Sequence, residues 1–127
     1  PLAMAAGLET LRLITEDPDY IEKVGAKTKI LTDGLKAAAD EAGAAVQVHR
    51  AGTMFSVFFS AVPVTNYATS EASDQDAFRR YFLAMLEQGI YLAPSQFETN
   101  FVSGAHSDED IARTVKAAET AFRAARG

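Results

Sequence analysis

The sequence of 127 residues contains no cysteine, which excludes disulfide bonds and thiolate metal sites. It also lacks a basic cluster: 17 acidic residues outnumber 12 basic ones, giving a formal charge of −5. Because nucleic-acid binding depends on clustered lysine and arginine, no nucleic-acid partner is expected. No apolar run approaches the roughly 20 residues that a membrane-spanning helix requires, so no membrane partner is expected either.

The remaining composition, 48% apolar and 23% charged, is typical of a globular domain. The chain opens at Pro1 without an initiator methionine and continues directly into a helical pattern, which indicates a piece of a larger protein. Residues 2–15 are apolar on most faces of this predicted helix. A helix of that kind is normally buried on most sides, so part of its surface is expected to lack cover in this chain.

Three further helices are predicted from their apolar spacing and end signals. The second begins with Asp17 as N-cap and Pro18 as first helical residue, and it ends near Ala42 before Gly43. Its apolar residues recur at helical spacing, namely at Ile21, Val24, Thr28, Leu31 and Leu35. The third helix begins at Ser73 and ends at Gly89, and the fourth begins at Ser107; in each, an aspartate three residues after the cap (Asp76, Asp110) resembles a capping box.

Four short segments are predicted as strands: residues 45–50, 54–59, 90–93 and, less regularly, 101–103. The second is apolar on both faces, which is typical of a central strand. The long irregular stretch 61–73 is expected to be functional or mobile. This order predicts an α+β fold, with a small, mostly antiparallel sheet of three to four strands and helices packed on one face.

No nucleotide-binding fingerprint is present, and His49 and His106 are isolated, so each is expected to have a surface or capping role. Most acidic residues lie in first helical turns, where they complement the helix dipole. Glu98 differs because it lies in the loop 94–100 between two predicted strands, although its spacing alone still favours a solvated loop acid. No metal site is predicted. All five lysines lie on predicted helices, and none is expected to form a Schiff base: Lys23, Lys27, Lys29, Lys36 and Lys116.

Three segments resemble the glutamate-1-semialdehyde 2,1-aminomutases, a branch of the class III aminotransferases. They are Gly-Thr-Met-Phe-Ser-Val-Phe-Phe at 52–59, Pro-Val-Thr-Asn-Tyr at 63–67 and Pro-Ser-Gln-Phe-Glu at 94–98. The second and third segments are the specific ones. The opening Pro-Leu-Ala-Met-Ala-Ala-Gly-Leu at 1–8 is similar to the helix that follows the cofactor segment in class III aminotransferases generally.

The resemblance implies a fold-type-I homodimer that uses pyridoxal phosphate and pyridoxamine phosphate to convert glutamate 1-semialdehyde into 5-aminolevulinate, in the cytoplasm. The catalytic lysine and the cofactor contacts would lie outside this chain. Residues 1–17 would be a connecting helix from a missing large domain, and residues 18–127 would be the C-terminal small domain. By this reading the chain alone is inactive and holds no cofactor.

The family's active-site glutamate falls on Glu98, which the resemblance implies is catalytic, next to the substrate and cofactor amino groups. Ser95 and Gln96 complete the same substrate-side loop. The residues that follow, Thr99 and Asn100, depart from the family pattern, which leaves the packing of the loop open.

Two alternatives remain from the sequence. The first is the C-terminal domain of another class III aminotransferase, which would more often carry an arginine for the substrate carboxylate; the loop 94–100 has none. The second is a free-standing α+β binding or dimerisation module, a reading that the absence of a catalytic set favours and the apolar first helix disfavours.

Overall fold

The computed structural model describes residues 1–127 and contains five helices and three strands. The helices are α1 (Leu2–Glu16), α2 (Tyr20–Ala42), α3 (Tyr67–Glu71), α4 (Gln75–Glu87) and α5 (Asp108–Ala125), and the strands are β1 (Gln47–Ala51), β2 (Met54–Phe58) and β3 (Asn100–Phe101). The predicted α+β class is confirmed.

The sheet has the order β1-β2-β3, and both pairings are antiparallel. β2 is therefore the central strand, as its apolar sequence predicts. Its buried residues Phe55 and Val57 face the helices. Successive strand side chains alternate between the two faces, so Met54, Ser56 and Phe58 lie on the opposite, outer face.

The helices α2, α4 and α5 enclose one hydrophobic core with the inner face of the sheet. Its centre is an aromatic cluster in which Tyr81 stacks on Phe122, with ring centroids 4.7 Å apart. Phe59, just beyond β2, lies 5.5 Å from the Tyr81 ring and 6.0 Å from the Phe122 ring. These contacts bring β2, α4 and α5 together.

Helices α2 and α5 approach each other closely at Gly34. A Cβ placed on Gly34 would lie 2.5 Å from Cγ2 of Val115 on α5, so a side chain there would push the helices apart. The predicted stripe of α2 is confirmed at Val24, Thr28, Leu31 and Leu35, which are buried. Only Ile21, near the start of the helix, is exposed.

Helix α1 differs from the others because none of its residues is buried. Leu2, Met4, Leu8 and Leu11 are each between 64% and 86% exposed. The expected uncovered apolar surface is therefore present. No helix in the chain combines the length and apolar character needed to cross a membrane.

Two predicted helix starts are wrong. α2 begins at Tyr20, and Asp17 instead accepts hydrogen bonds from the Asp19 N–H and the Lys23 ammonium. Pro18 thus precedes the helix, because the Asp17 carboxylate stabilises a turn around it. α4 is capped by Asp74, whose side chain accepts from the Ala77 N–H at 2.8 Å. Ser73 is buried and contacts the Thr69 carbonyl oxygen.

The predicted strand 90–93 is also wrong. The Ile90 N–H bonds to the Met85 carbonyl oxygen, and the Ala93 N–H bonds to the Asn100 side chain, so neither joins a ladder. The last strand covers Asn100–Phe101 and not residues 101–103. By contrast, the capping box of Ser107 and Asp110 at the start of α5 is confirmed.

The Tyr81 hydroxyl is fully buried without a hydrogen-bond partner, and burial raises the pKa of Tyr81 well above its ordinary value. Because an unsatisfied buried hydroxyl is unfavourable, Tyr81→Phe should leave the unfolding free energy at pH 7 unchanged or raise it by about 1 kcal/mol. The folded state keeps the phenol neutral while the unfolded state ionises above about pH 10. Tyr81 should therefore cost stability as pH rises past about 10, and the variant should lose that dependence.

Denaturant unfolding of both proteins from pH 7 to 11 measures this effect. Tyr91→Phe is the matched control, because Tyr91 is 74% exposed and should respond equally in both states. A destabilisation of Tyr81→Phe at pH 7 by about 2 kcal/mol or more would show that the hydroxyl has a partner.

The exposed surface of α1 should make the chain self-associate, because uncovered apolar stripes promote association. Leu8 and Leu11 are three residues apart and share a helix face, so the double variant Leu8→Glu, Leu11→Glu should reduce association. Sedimentation at high concentration checks this, with Ile30→Glu on α2 as control at a residue of similar exposure, 63%. A monomeric parent chain with an ordered α1 would contradict the expectation.

Candidate functional site

The loop that carries Glu98 is closed by hydrogen bonds within itself. The Glu98 N–H donates to the Ser95 carbonyl oxygen at 3.0 Å, and the Phe97 N–H donates to Ser95 Oγ at 3.2 Å. At the base of the loop, the Ala93 N–H donates to Asn100 Oδ1 at 2.8 Å. Asn100, where the chain departs from the family pattern, therefore closes the loop through its side chain, while its backbone belongs to β3.

Glu98 lies at a cleft of about 560 Å³ between the loop, the sheet and α5. The lining of this first cleft is mixed, with apolar Phe55, Leu92 and Ile111 beside polar Thr99 and Asn100. The carboxylate of Glu98 makes no hydrogen bond or ion pair within the chain. It is exposed and free to bind a group that enters the cleft.

The first cleft is electrostatically acidic. Asp110 lines it together with Glu98, while no lysine or arginine does. Hydrogen bonds from the Ser107 backbone N–H and hydroxyl hold the pKa of Asp110 below its ordinary value. The cleft thus contains two carboxylates and the imidazole of His106, and its negative charge favours an ammonium group over a carboxylate.

Gln96 lies apart from Glu98, although the two are close in sequence. Gln96 is 4% exposed, and its Nε2 donates to the Ser70 carbonyl oxygen at 3.3 Å. It lines a second cleft of about 360 Å³ on the outer face of the sheet. Thr99 lines both clefts, so the loop separates them. Ser95 is half-buried and stabilises the turn through its hydroxyl.

The segment 63–67 packs against the Glu98 loop. Val64 is buried, and Asn66 caps α3 by accepting from the Thr69 N–H at 3.0 Å, with Thr69 completing a capping box. The Tyr67 ring lies 6.0 Å from that of Phe97. Helix α3 was not predicted, although an asparagine followed three residues later by threonine is a sequence signal for a helix start.

Both histidines have local roles, as predicted. His106 Nδ1 accepts from the Ser103 N–H at 2.9 Å and stabilises the turn before α5. The exposed His49 ring contacts Phe58 edge-on, with centroids 5.5 Å apart. The chain contains no group of three or more side chains that could hold a metal ion.

None of the lysines fits a Schiff base with pyridoxal phosphate, which requires a lysine with a lowered pKa. Hydrogen bonding to Asp17 raises the pKa of Lys23. Lys27 donates to the His106 carbonyl oxygen and lies 3.6 Å from Asp108, and Lys29 and Lys116 pair with carboxylates. Lys36 is exposed on α2. The catalytic lysine of a pyridoxal-phosphate enzyme is therefore not among these residues.

No family model matches the chain. Curated relatives do: the glutamate-1-semialdehyde 2,1-aminomutase of Limosilactobacillus reuteri is 47% identical over 125 residues, covering 98% of this chain. That of Desulfosudis oleivorans is 50% identical over 122 residues, covering 96% of this chain. The chain spans only 28% of the length of either relative.

Solved structures share the fold. An omega-transaminase from Sphaerobacter thermophilus matches all of this chain and 28% of its own, with a TM-score of 0.82 and 22% identity. The FumI protein of Sphingopyxis sp. MTA144, solved in its PLP internal aldimine form, covers 94% of this chain and 26% of its own, with a TM-score of 0.72 and 30% identity.

The fold is thus that of the C-terminal domain of fold-type-I pyridoxal-phosphate transaminases. Within this class, the sequence matches are to a C-terminal portion of the aminomutases. Over nearly its whole length the chain is similar to that portion of the glutamate-1-semialdehyde 2,1-aminomutases, in agreement with the resemblance of the loops at 63–67 and 94–98.

The lysine environments predict that the chain forms no specific imine with pyridoxal phosphate. After incubation with the cofactor and reduction by borohydride, peptide mass spectrometry should find only low, scattered labelling of the exposed lysines. A stoichiometric adduct on a single lysine would contradict this assignment.

Proposed function

We propose that this chain is the C-terminal domain of a glutamate-1-semialdehyde 2,1-aminomutase, whose longer polypeptide converts glutamate 1-semialdehyde into 5-aminolevulinate for tetrapyrrole biosynthesis. The observation that carries this proposal is the 47–50% identity to two aminomutases over nearly the whole chain. In the longer protein, residues 1–17 would connect the domains and residues 18–127 would form the small domain. That protein would be a cytoplasmic homodimer.

The cofactor would be bound by the rest of the polypeptide as pyridoxal or pyridoxamine phosphate, and it would supply the group that carries the amino nitrogen. This chain contributes the acidic cleft. The free Glu98 carboxylate binds and orients an amino group through charge-assisted hydrogen bonds. Asp110 adds a second negative charge to the same cleft. Ser95 and Gln96 hold the loop in shape.

Another class III aminotransferase remains the second candidate, because the solved neighbours are transaminases. No arginine lines the first cleft or lies in the loop. Because glutamate 1-semialdehyde also carries a carboxylate, the assay described next is what separates the two candidates. The free-standing module is disfavoured because the matched relatives are far longer than this chain.

The test of the proposed function is an assay of the longer polypeptide that contains this chain. With glutamate 1-semialdehyde as the only substrate, it should form 5-aminolevulinate without an added amino donor or keto acid. Activity that depends on a separate amine and keto acid would instead identify an aminotransferase.

In that longer protein, Glu98→Gln should lower turnover while leaving the fold and cofactor content intact. Glutamine keeps the size and one acceptor oxygen but removes the charge. Losing a charge-assisted hydrogen bond costs roughly 1.5–3 kcal/mol, which corresponds to a loss of about ten- to a hundredfold in kcat if the bond acts in the transition state.

Steady-state kinetics measure the effect, with Glu87→Gln at the exposed end of α4 as a matched control of unchanged activity. Turnover of Glu98→Gln within about twofold of the parent would show that Glu98 is an ordinary solvated acid.

A further inference from the structure

The side-chain amide of Asn100 has one half that is bonded and one half that is free. Its Oδ1 accepts the hydrogen bond from the Ala93 N–H at 2.8 Å. Because only an oxygen can accept there, this bond sets the orientation of the amide; a flipped amide would place two N–H groups against each other. Nδ2 therefore lies on the other side of the group, and it donates to no atom of the chain.

This free donor can be reached from outside the chain. Asn100 is half-buried in the lining of the first cleft. The buried side-chain polar atoms that lack a partner are the Tyr81 hydroxyl oxygen and Gln96 Oε1, and Nδ2 is not among them. The donor is therefore accessible, and its direction is fixed by the bond that the same amide makes to Ala93.

The first cleft also contains a free acceptor. Glu98 lies two positions before Asn100 and lines the same cleft, and its carboxylate makes no hydrogen bond or ion pair within the chain. A ligand that engages both residues needs a donor group for Glu98 and an acceptor atom for Asn100. An amino group fits the first requirement, because it is cationic when protonated and bonds strongly to a carboxylate.

The charge of the cleft restricts the acceptor. Glu98 and Asp110 both line it, and no lysine or arginine does. A carboxylate at Asn100 Nδ2 would therefore face two charges of its own sign without a cation to offset them. A carbonyl oxygen carries no net charge and accepts a hydrogen bond from an amide N–H in the ordinary way. The cleft thus suits an amino group next to a carbonyl group.

We propose that Asn100 is a substrate-binding residue, whose Nδ2 donates to the carbonyl oxygen of an α-aminocarbonyl compound while Glu98 binds the amino group. The inference rests on the proposed function and names the part of the substrate that the cleft recognises. In glutamate 1-semialdehyde the amino carbon is bonded to the aldehyde carbon, and in 5-aminolevulinate it is bonded to the ketone carbon. One donor and one acceptor therefore fit both compounds. Because the chain departs from the family pattern at Asn100, the contact belongs to this protein and not to the family in general.

The binding of two ligands to the longer protein, loaded with pyridoxal phosphate, tests the contact. 5-Aminolevulinate and 5-aminopentanoate share the chain length, the amino group and the carboxylate, but 5-aminopentanoate lacks the carbonyl oxygen. Calorimetry at neutral pH should give a dissociation constant about fivefold lower for 5-aminolevulinate, the ratio expected from one neutral hydrogen bond. Equal dissociation constants for the two ligands would overturn the proposal.

Asn100→Asp separates the donor from the closure of the loop. Aspartate keeps an oxygen for the Ala93 N–H but has no N–H to donate, and the charge that it adds acts alike on the two ligands. The preference for 5-aminolevulinate should fall to less than about twofold. If Asn100 only closed the loop, Asn100→Asp would keep the full preference, and that result would overturn the proposal.

Asn100→Ala removes the donor without adding a charge, and it should lose the preference as well. Hydrogen exchange of the peptide that contains Ala93 checks the loop: exchange should stay slow in Asn100→Asp and become faster in Asn100→Ala. Loss of the preference together with fast exchange in both variants would assign Asn100 to loop closure alone and overturn its contact with the ligand.

Asn66→Asp is the matched control. Asn66 Oδ1 also accepts from a backbone N–H, that of Thr69 at 3.0 Å, and Asn66 lines the second cleft and not the first. This variant should keep the preference of the parent. A preference that depends on Asn100 in a protein that forms no 5-aminolevulinate would support the contact and reject the proposed function. Formation of 5-aminolevulinate by a parent that binds both ligands equally would support the function and overturn the contact.

Discussion

The stacking of Tyr81 on Phe122 is the contact on which the packing of the domain depends. Both side chains are fully buried, and Phe59 lies against both rings. Tyr81 lies on α4, Phe122 lies on α5 and Phe59 follows β2 directly. The cluster therefore fixes the angle between these two helices and the sheet. Losing a large buried aromatic side chain typically costs about 3–5 kcal/mol, a large fraction of the stability of a small domain.

Both loops of the candidate site are anchored to this core. The Asp74 N–H donates to the Phe59 carbonyl oxygen at 2.9 Å, which joins the two ends of the segment 60–73 next to the aromatic cluster. Leu92 and Val102 are buried on either side of the Glu98 loop. The position of Glu98 is therefore determined by packed residues, while its own carboxylate remains unconstrained by any contact within the chain.

The elements that could be predicted from sequence are those with a local physical signal. The apolar stripe of α2, the left-handed Gly43 at its end and the capping box of α5 each depend on residues a few positions apart. The segment 90–93 looked like a strand because it is apolar. A strand needs a neighbouring strand to pair with, and local sequence does not reveal one. Here the Ala93 N–H bonds to the Asn100 side chain instead of to a strand.

The candidate site also depends on features that have no local sequence signal. Glu98 was found through its resemblance to a family motif, since an exposed loop acid has no periodic or capping signal. The burial of Gln96 could not be predicted, because it arises from contact with Ser70, which lies 26 positions away in the chain. Its placement in a separate cleft from Glu98 is likewise a tertiary effect, produced by the turn that Ser95 stabilises.

The closed base of the Glu98 loop has a consequence for the divergence of such enzymes. The hydrogen bond from the Ala93 N–H to the Asn100 side chain closes the loop, and β3 consists only of Asn100 and Phe101. The six positions between Ala93 and Asn100 therefore make no hydrogen bonds of the sheet. Insertions, deletions and exchanges between these two residues can accumulate without shifting the strand register. Gln96 is the exception, because it is buried against Ser70; the exposed positions of the loop can change while the core stays intact.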